Sequence, residues 1–143
     1  MSIESFALEK LKVRHPELVK NGLRRVLRII DETIGAAEFV GDYTPGFIPD
    51  ATIWDAANQT IKIFEIEDTS RINAQKLRTI QRFGHDLYDE TGCYTELWVT
   101  DRWGMDENKV WQVKDEIMWT YEPTGEWLSE TEIDRREQST PDT

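Results

Sequence analysis

The sequence predicts an α/β domain of the α+β kind, with a central mixed sheet flanked by helices, elements in the order αβββαβ and a C-terminal β-rich extension. Two observations carry this expectation. From Pro16 to Ile34 and again from Arg71 to Glu90, apolar residues recur at helical spacing. Around the second of these stretches lie short runs rich in Ile, Phe, Trp and Val, bounded by Gly, Pro, Asn and Asp. A chain of 143 residues can bury one real core and is too short for two ordinary ones. We therefore expect a single domain over residues 1–128, with its core at about 16–101, followed by a disordered acidic tail at 129–143.

Taken in order, Met1–Arg14 reads as a short amphipathic helix ending before His15-Pro16, because the residue before a proline is biased out of the helical region. Pro16 then opens a helix to Ile34. Its Leu18, Val19, Leu23, Val26, Leu27, Ile29, Ile30 and Ile34 share half of the wheel, Lys20, Arg24, Arg25 and Arg28 occupy the other half, and Gly35 stops it. Ala36–Tyr43 reads as a first strand before a Thr44-Pro45-Gly46 turn. Phe47–Asp55 and Thr60–Asp68 read as two strands joined by a tight turn at Ala57-Asn58. Thr69 or Ser70 caps the second long helix, which ends at Gly92, and Cys93–Thr100 is the next strand. Val110–Val113 and Ile117–Tyr121 pair as a hairpin, with a short helix over Lys109–Trp119 as the competing reading.

Composition narrows the function classes. No apolar run approaches bilayer length, and Met1–Lys12 mixes acids and bases, unlike a signal peptide. The expectation is a soluble, intracellular, cytoplasmic protein. The single cysteine, Cys93, rules out an intrachain disulfide and a Cys/His metal cluster, and reads as a small strand residue. A net charge of −11 ordinarily counts against nucleic-acid binding. Its distribution qualifies that: residues 1–83 carry 12 Lys/Arg against 12 Asp/Glu, and residues 84–143 carry 5 against 16. The acidity belongs to the C-terminal part.

Acids in the two central strands stand out. In Thr60–Asp68, Ile61, Ile63, Glu65 and Glu67 share one face and Lys62, Phe64 and Ile66 the other, so the strand reads as buried on both sides near Glu65. A carboxylate there is costly unless protonated, paired or bound to a cation. Asp50 is comparable, with Ile48 and Thr52 on its face. A two-residue turn at Ala57-Asn58 sets Asp50 opposite Glu65, and a turn at Asn58-Gln59 sets it opposite Glu67. Facing Cβ atoms lie about 5 Å apart, where like charges repel unless a cation lies between them. Asp50, Glu65 and Glu67 are therefore expected to converge as a metal-binding cluster, suited to Mg²⁺ (or Mn²⁺) with its oxygen ligands and retained waters.

Pro49-Asp50, fourteen intervening residues and Glu65-Ile66-Glu67 resemble the signature of the PD-(D/E)xK nuclease superfamily, and the helix and strand order resembles its restriction-endonuclease-like core over roughly residues 16–101. The resemblance implies that Asp50 and Glu65 are metal ligands, that Glu67 stands where the family usually has a lysine, and that the protein acts as a homodimer. Glu67 is a departure from the pattern. On a wheel of the second long helix, Lys76 falls on the apolar, sheet-facing side, and we expect it to reach back to the acids as a migrated lysine, the competing reading being a lysine snorkelling past the helix edge.

The implied activity is a Mg²⁺-dependent endonuclease acting on DNA, with a restriction, repair or junction-resolving role. Asp50, Glu65, Glu67 and Lys76 are the catalytic candidates. Arg71, Arg78 and Arg82 form an acid-free stripe suited to the phosphate backbone, and the basic face of the first long helix offers a second. Trp54 and Trp98 read as core, whereas Trp111, Trp119 and Trp127 read as partly exposed; His15 and His85 read as structural. The alternative is a catalytically inactive nuclease-fold interaction protein, or an acidic DNA mimic for which the charge of −11 is the functional feature.

Overall fold

Strand β3, Thr60–Glu67, forms the centre of the molecule, because its Ile61, Ile63 and Phe64 are buried from both sides. The structure, a computed structural model, describes residues 3–67, 74–114, 117–121 and 127–129. Its elements run α1 (Ile3–Arg14), β1 (Val19–Lys20), α2 (Leu23–Ile34), α3 (Ala37–Asp42), β2 (Ala51–Asp55), β3, α4 (Ala74–Thr91), β4 (Tyr94–Asp101), β5 (Glu107–Lys114), β6 (Ile117–Tyr121) and β7 (Trp127–Ser129). The strands form one mixed sheet in sequential order. Among the described residues only β3 and β4 pair in parallel, and α4 supplies the crossover that a parallel pair requires; the other described ladders are antiparallel.

The mixed sheet flanked by helices, the hairpin of β2 and β3, and the β5–β6 pair agree with expectation, which removes the competing helix over Lys109–Trp119. Three expected elements are corrected. The helix from Pro16 begins only at Leu23, since Asn21 takes a left-handed φ of 59° and Val19–Lys20 pair with Ala51–Thr52 instead. Ala36–Tyr43 is the helix α3 rather than a strand: Val40 and Tyr43 donate N–H bonds to the carbonyls of Ala36 and Phe39, and the Phe39 and Tyr43 rings lie 4.7 Å apart. Four-residue spacing brings those rings together on a helix and not on a strand. Phe47–Asp50, expected within a strand, precede β2 as irregular chain. The expected order αβββαβ therefore lacks its first strand at that position. The expected tail beyond Ser129 lies outside the described residues.

Helices α2 and α4 cover one face of the sheet. Leu23, Val26, Leu27 and Ile30 of α2 meet Ile80, Phe83 and Leu87 of α4 over Ile61, Ile63, Leu97, Trp111 and Val113. Helix α1 covers the other face, where Leu11 and Leu18 pack with Ala51, Ile53 and Phe64. Arg14 and His15 fasten α1 to β5, both reaching the Glu107 carboxylate at 2.7–3.0 Å. Burial alone would raise that carboxyl, but the His15 and Arg14 donors outweigh it and hold it below its ordinary value. No described helix is long and apolar enough to cross a membrane.

Trp111, expected at the surface, is fully buried, because α4 crosses directly over β5. Trp54 and Trp98, expected in the core, are half-buried against its two parts, and the side chains of Trp119 and Trp127 lie outside the described residues. The close crossing depends on Gly84, where an added Cβ would lie 2.4 Å from the Trp111 ring. Alanine ordinarily favours a helix over glycine by about 1 kcal/mol. Here Gly84→Ala is expected to destabilise the fold by roughly 1–3 kcal/mol through overpacking, read as a lower urea midpoint with an unchanged slope.

Candidate functional site

The β2–β3 hairpin sets the site. Ala51 pairs with Phe64 and Asp55 with Thr60 across a four-residue connection, Ala56–Gln59, longer than the expected two-residue turn but giving the same register. One step beyond the ladder, Asp50 faces Glu65. The Asp50 Oδ2 accepts the Ile66 N–H at 2.8 Å, so a side chain satisfies a strand donor past the end of the ladder. Glu65 continues the Ile61–Ile63 face beneath α4 and is only 4% exposed.

Lys76, on the second residue past the first described turn position of α4, reaches this pair. Its Nζ lies 2.9 Å from Glu65 Oε1 and donates to the Ile48 carbonyl at 3.2 Å. The approach to Oε1 is an ion-pair contact of poor hydrogen-bond alignment, since that buried oxygen has no hydrogen-bond partner among the described residues. Burial pushes the Glu65 carboxyl up to about 8; the Lys76 ammonium works against the rise and the neighbouring Asp50 adds to it. Two adjacent carboxyl groups are an oxygen donor set that suits a small hard cation when both are ionised.

The other expected site residues are less central. Glu67 lies at the end of β3, half-buried and in register with Asp101 of β4. Among the described residues no three His, Cys, Asp or Glu side chains converge as a metal centre, so the expected convergence of Asp50, Glu65 and Glu67 reduces to the Asp50–Glu65 pair. Arg78 and Arg82 are exposed on α4, while Arg71 lies outside the described residues. His85 is half-buried on α4, and His15 is engaged with Glu107.

A groove opens beside Lys76, walled by Asn21, Arg24, Phe47, Ile48 and Pro49. Sequence reading placed Arg24 only on a general basic face and gave Asn21 no role. The Asn21-Gly22 pair is a turn signal inside the expected helix and could have shown that the chain bends there. That bend brings the Asn21 N–H to the Asp50 carbonyl at 3.3 Å and starts α2 at the groove wall.

Comparison of the chain with family models, with curated proteins and with solved structures finds no match. The chemistry of the site rests on its own geometry.

A carboxyl whose folded pKa is raised keeps its proton in the native state while the unfolded chain has lost it. Stability contributed by the proton is complete below the ordinary value of 4.5 and is lost as pH rises through about 8. Glu65→Gln removes this dependence. We expect the wild-type protein to lose roughly 2–4 kcal/mol relative to Glu65→Gln between these limits, measured by urea unfolding across pH, with parallel curves at lower pH.

Proposed function

We propose that this protein is a metal-dependent nuclease that hydrolyses phosphodiester bonds in DNA. The observation that carries the reading is the meeting of Asp50, Glu65 and Lys76, brought together from separate parts of the chain, with Lys76 also lining an open groove. The hairpin of β2 and β3, the α4 crossover and the parallel strand β4 are consistent with the restriction-endonuclease-like arrangement that the sequence resembles. Glu67 occupies the usual lysine position of that pattern, and Lys76 supplies an ammonium from α4 in its place.

Asp50 and Glu65 would hold Mg²⁺ or Mn²⁺. Such a cation, when bound, polarises a phosphoryl oxygen and lowers the pKa of a coordinated water. Lys76 faces both the acids and the groove, so its ammonium would neutralise charge on the phosphoryl oxygens and orient the attacking water. Arg78 and Arg82 lie exposed on the same helix and would track the phosphate backbone. Cutting both strands of a duplex would take two copies of the chain.

A second reading draws on the charge of the C-terminal part, 16 acids against 5 bases over residues 84–143. An inactive interaction protein, or a mimic of DNA, would use that surface and leave the buried pair as a structural remnant.

The test is cleavage of plasmid, linear and branched DNA with Mg²⁺ or Mn²⁺. We expect cleavage by the wild-type protein, near-complete loss with Asp50→Ala, and a fall in kcat of roughly 10²–10⁴-fold with Lys76→Ala. Absence of cleavage on every substrate, with no rise of the melting midpoint on adding Mn²⁺, would sink the nuclease reading. Full activity in a folded Lys76→Ala protein would remove the lysine from the mechanism.

A further inference from the structure

The groove beside Lys76 is divided by the Thr44–Pro49 segment. On its α2 side lies a cavity of about 690 Å³, walled by Asn21, Leu23, Arg24, Pro45 and Phe47. On its α4 side lies a smaller one of about 240 Å³, walled by Gln75 and Thr79. Gly46, Phe47, Ile48 and Lys76 line both, so the two cavities meet at the lysine. Ile48 stands between them with 71% of its surface exposed, an unusual place for a large aliphatic side chain.

Charge and shape point to one class of occupant. Neither cavity is lined by a carboxylate among the described residues, although the chain carries a net charge of −11. Arg24 is exposed on the α2 wall, and Arg28 follows one turn further along the same helix, also exposed. The larger cavity therefore combines cations at its rim with apolar walls from Leu23, Pro45 and Phe47. Its volume is that of a small-molecule site, and it accepts one nucleotide rather than a base pair with both backbones.

The dividing segment is held firmly. The Tyr43 hydroxyl donates to Asp86 Oδ2 at 2.9 Å, Arg24 donates to the Tyr43 carbonyl at 3.3 Å, and Lys76 holds the Ile48 carbonyl. Gly46 takes a φ of +81°, and a Cβ there would lie 3.3 Å from Thr79 Cγ2, which lets the backbone pass close to α4. Ile48 is thus presented on a braced backbone, as apolar side chains that separate neighbouring bases must be.

We infer that the α2-side cavity seats one unpaired nucleotide of a DNA strand passing over Lys76, with Arg24 on its phosphate and Ile48 parting it from the next base. The inference rests on the nuclease reading in placing a DNA strand at Lys76, and it adds a substrate class: strands that are single or locally unpaired. Apolar walls favour a base whose faces are free of the duplex stack, and Arg24 supplies a phosphate contact distinct from the Arg78 and Arg82 stripe.

The experiment is fluorescence anisotropy with a short labelled DNA, single-stranded and as a duplex of the same sequence, with Ca²⁺ as the cation. The wild-type protein is expected to bind the single strand at least about tenfold more tightly. Arg24→Gln is expected to weaken single-strand binding roughly 5–10-fold and reduce the slope against log salt by about 0.7; Ile48→Glu is expected to weaken it about tenfold. Both side chains are exposed, and unchanged melting midpoints verify that the variants fold. Equal or tighter duplex binding, no binding, or folded variants that bind like the wild type would each overturn the inference. Cleavage with Mg²⁺, measured alongside, separates the two readings. The expected binding pattern without cleavage retains the nucleotide site and removes the nuclease. Cleavage whose KM is unmoved by Arg24→Gln and Ile48→Glu does the reverse.

Discussion

The constraint on which the rest of the structure depends is that β3 is covered on both faces and yet carries a carboxylate near its end. Ile61, Ile63 and Phe64 bind the strand between α2 and α4 on one side and α1 on the other. Continuing the same alternation puts Glu65 under α4, where it is 4% exposed. Removing a carboxylate from water costs several kcal/mol unless the group is neutralised or paired. Burial pushes the Glu65 carboxyl up to about 8, and the Lys76 ammonium 2.9 Å from Oε1 opposes that rise.

The surroundings of that pair explain how Lys76 joins it to a neighbouring groove. The β2–β3 ladder stops at Ala51–Phe64, and Asp50 closes its end with a side chain instead of a backbone carbonyl. The irregular chain before Asp50 then leaves the sheet and passes between α2 and α4. Tyr43 and Phe47 pack against Phe83 of the core, contacts with Asp86, Arg24 and Lys76 brace the segment, and the groove opens along it. The same segment therefore delivers Asp50 to Glu65 and shapes the surface that a ligand would meet.

Electrostatics divide the molecule along the sequence. The N-terminal part balances its charges and exposes Arg24 and Arg28 on α2 and Arg78 and Arg82 on α4, with Arg24 and Lys76 lining the groove, whereas the acidic excess falls after residue 83. A strongly acidic protein can in this way present a locally cationic site. The net charge describes solubility and long-range repulsion, and the nearby side chains describe what can bind at short range.

Much of the buried pair was legible in the sequence. Period-two alternation assigned Glu65 to the face of Ile61 and Ile63, and the turn residues limited the partner of Asp50 to Glu65 or Glu67; both are local properties of a hairpin. The sheet-facing position of Lys76 followed from helical periodicity. What the tertiary structure decided depends on partners distant in the chain. Phe39 and Tyr43 read as strand residues until packing against the core selected a helix, and Val19–Lys20 read as helix until β2 offered them a ladder. Trp111 reads as partly exposed because nothing near it in sequence reveals that Gly84 lets α4 lie across it. Glu67 shares a face with Glu65 by alternation, yet convergence on a point is set by how far each strand end extends, which only the assembled sheet determines. The sequence by itself narrowed the partner of Asp50 to Glu65 or Glu67 and pointed Lys76 toward them; the tertiary structure decided for Glu65 and set Arg24 and an exposed Ile48 along the groove beside Lys76, because the ladder register and the groove walls depend on elements that local periodicity cannot bring together.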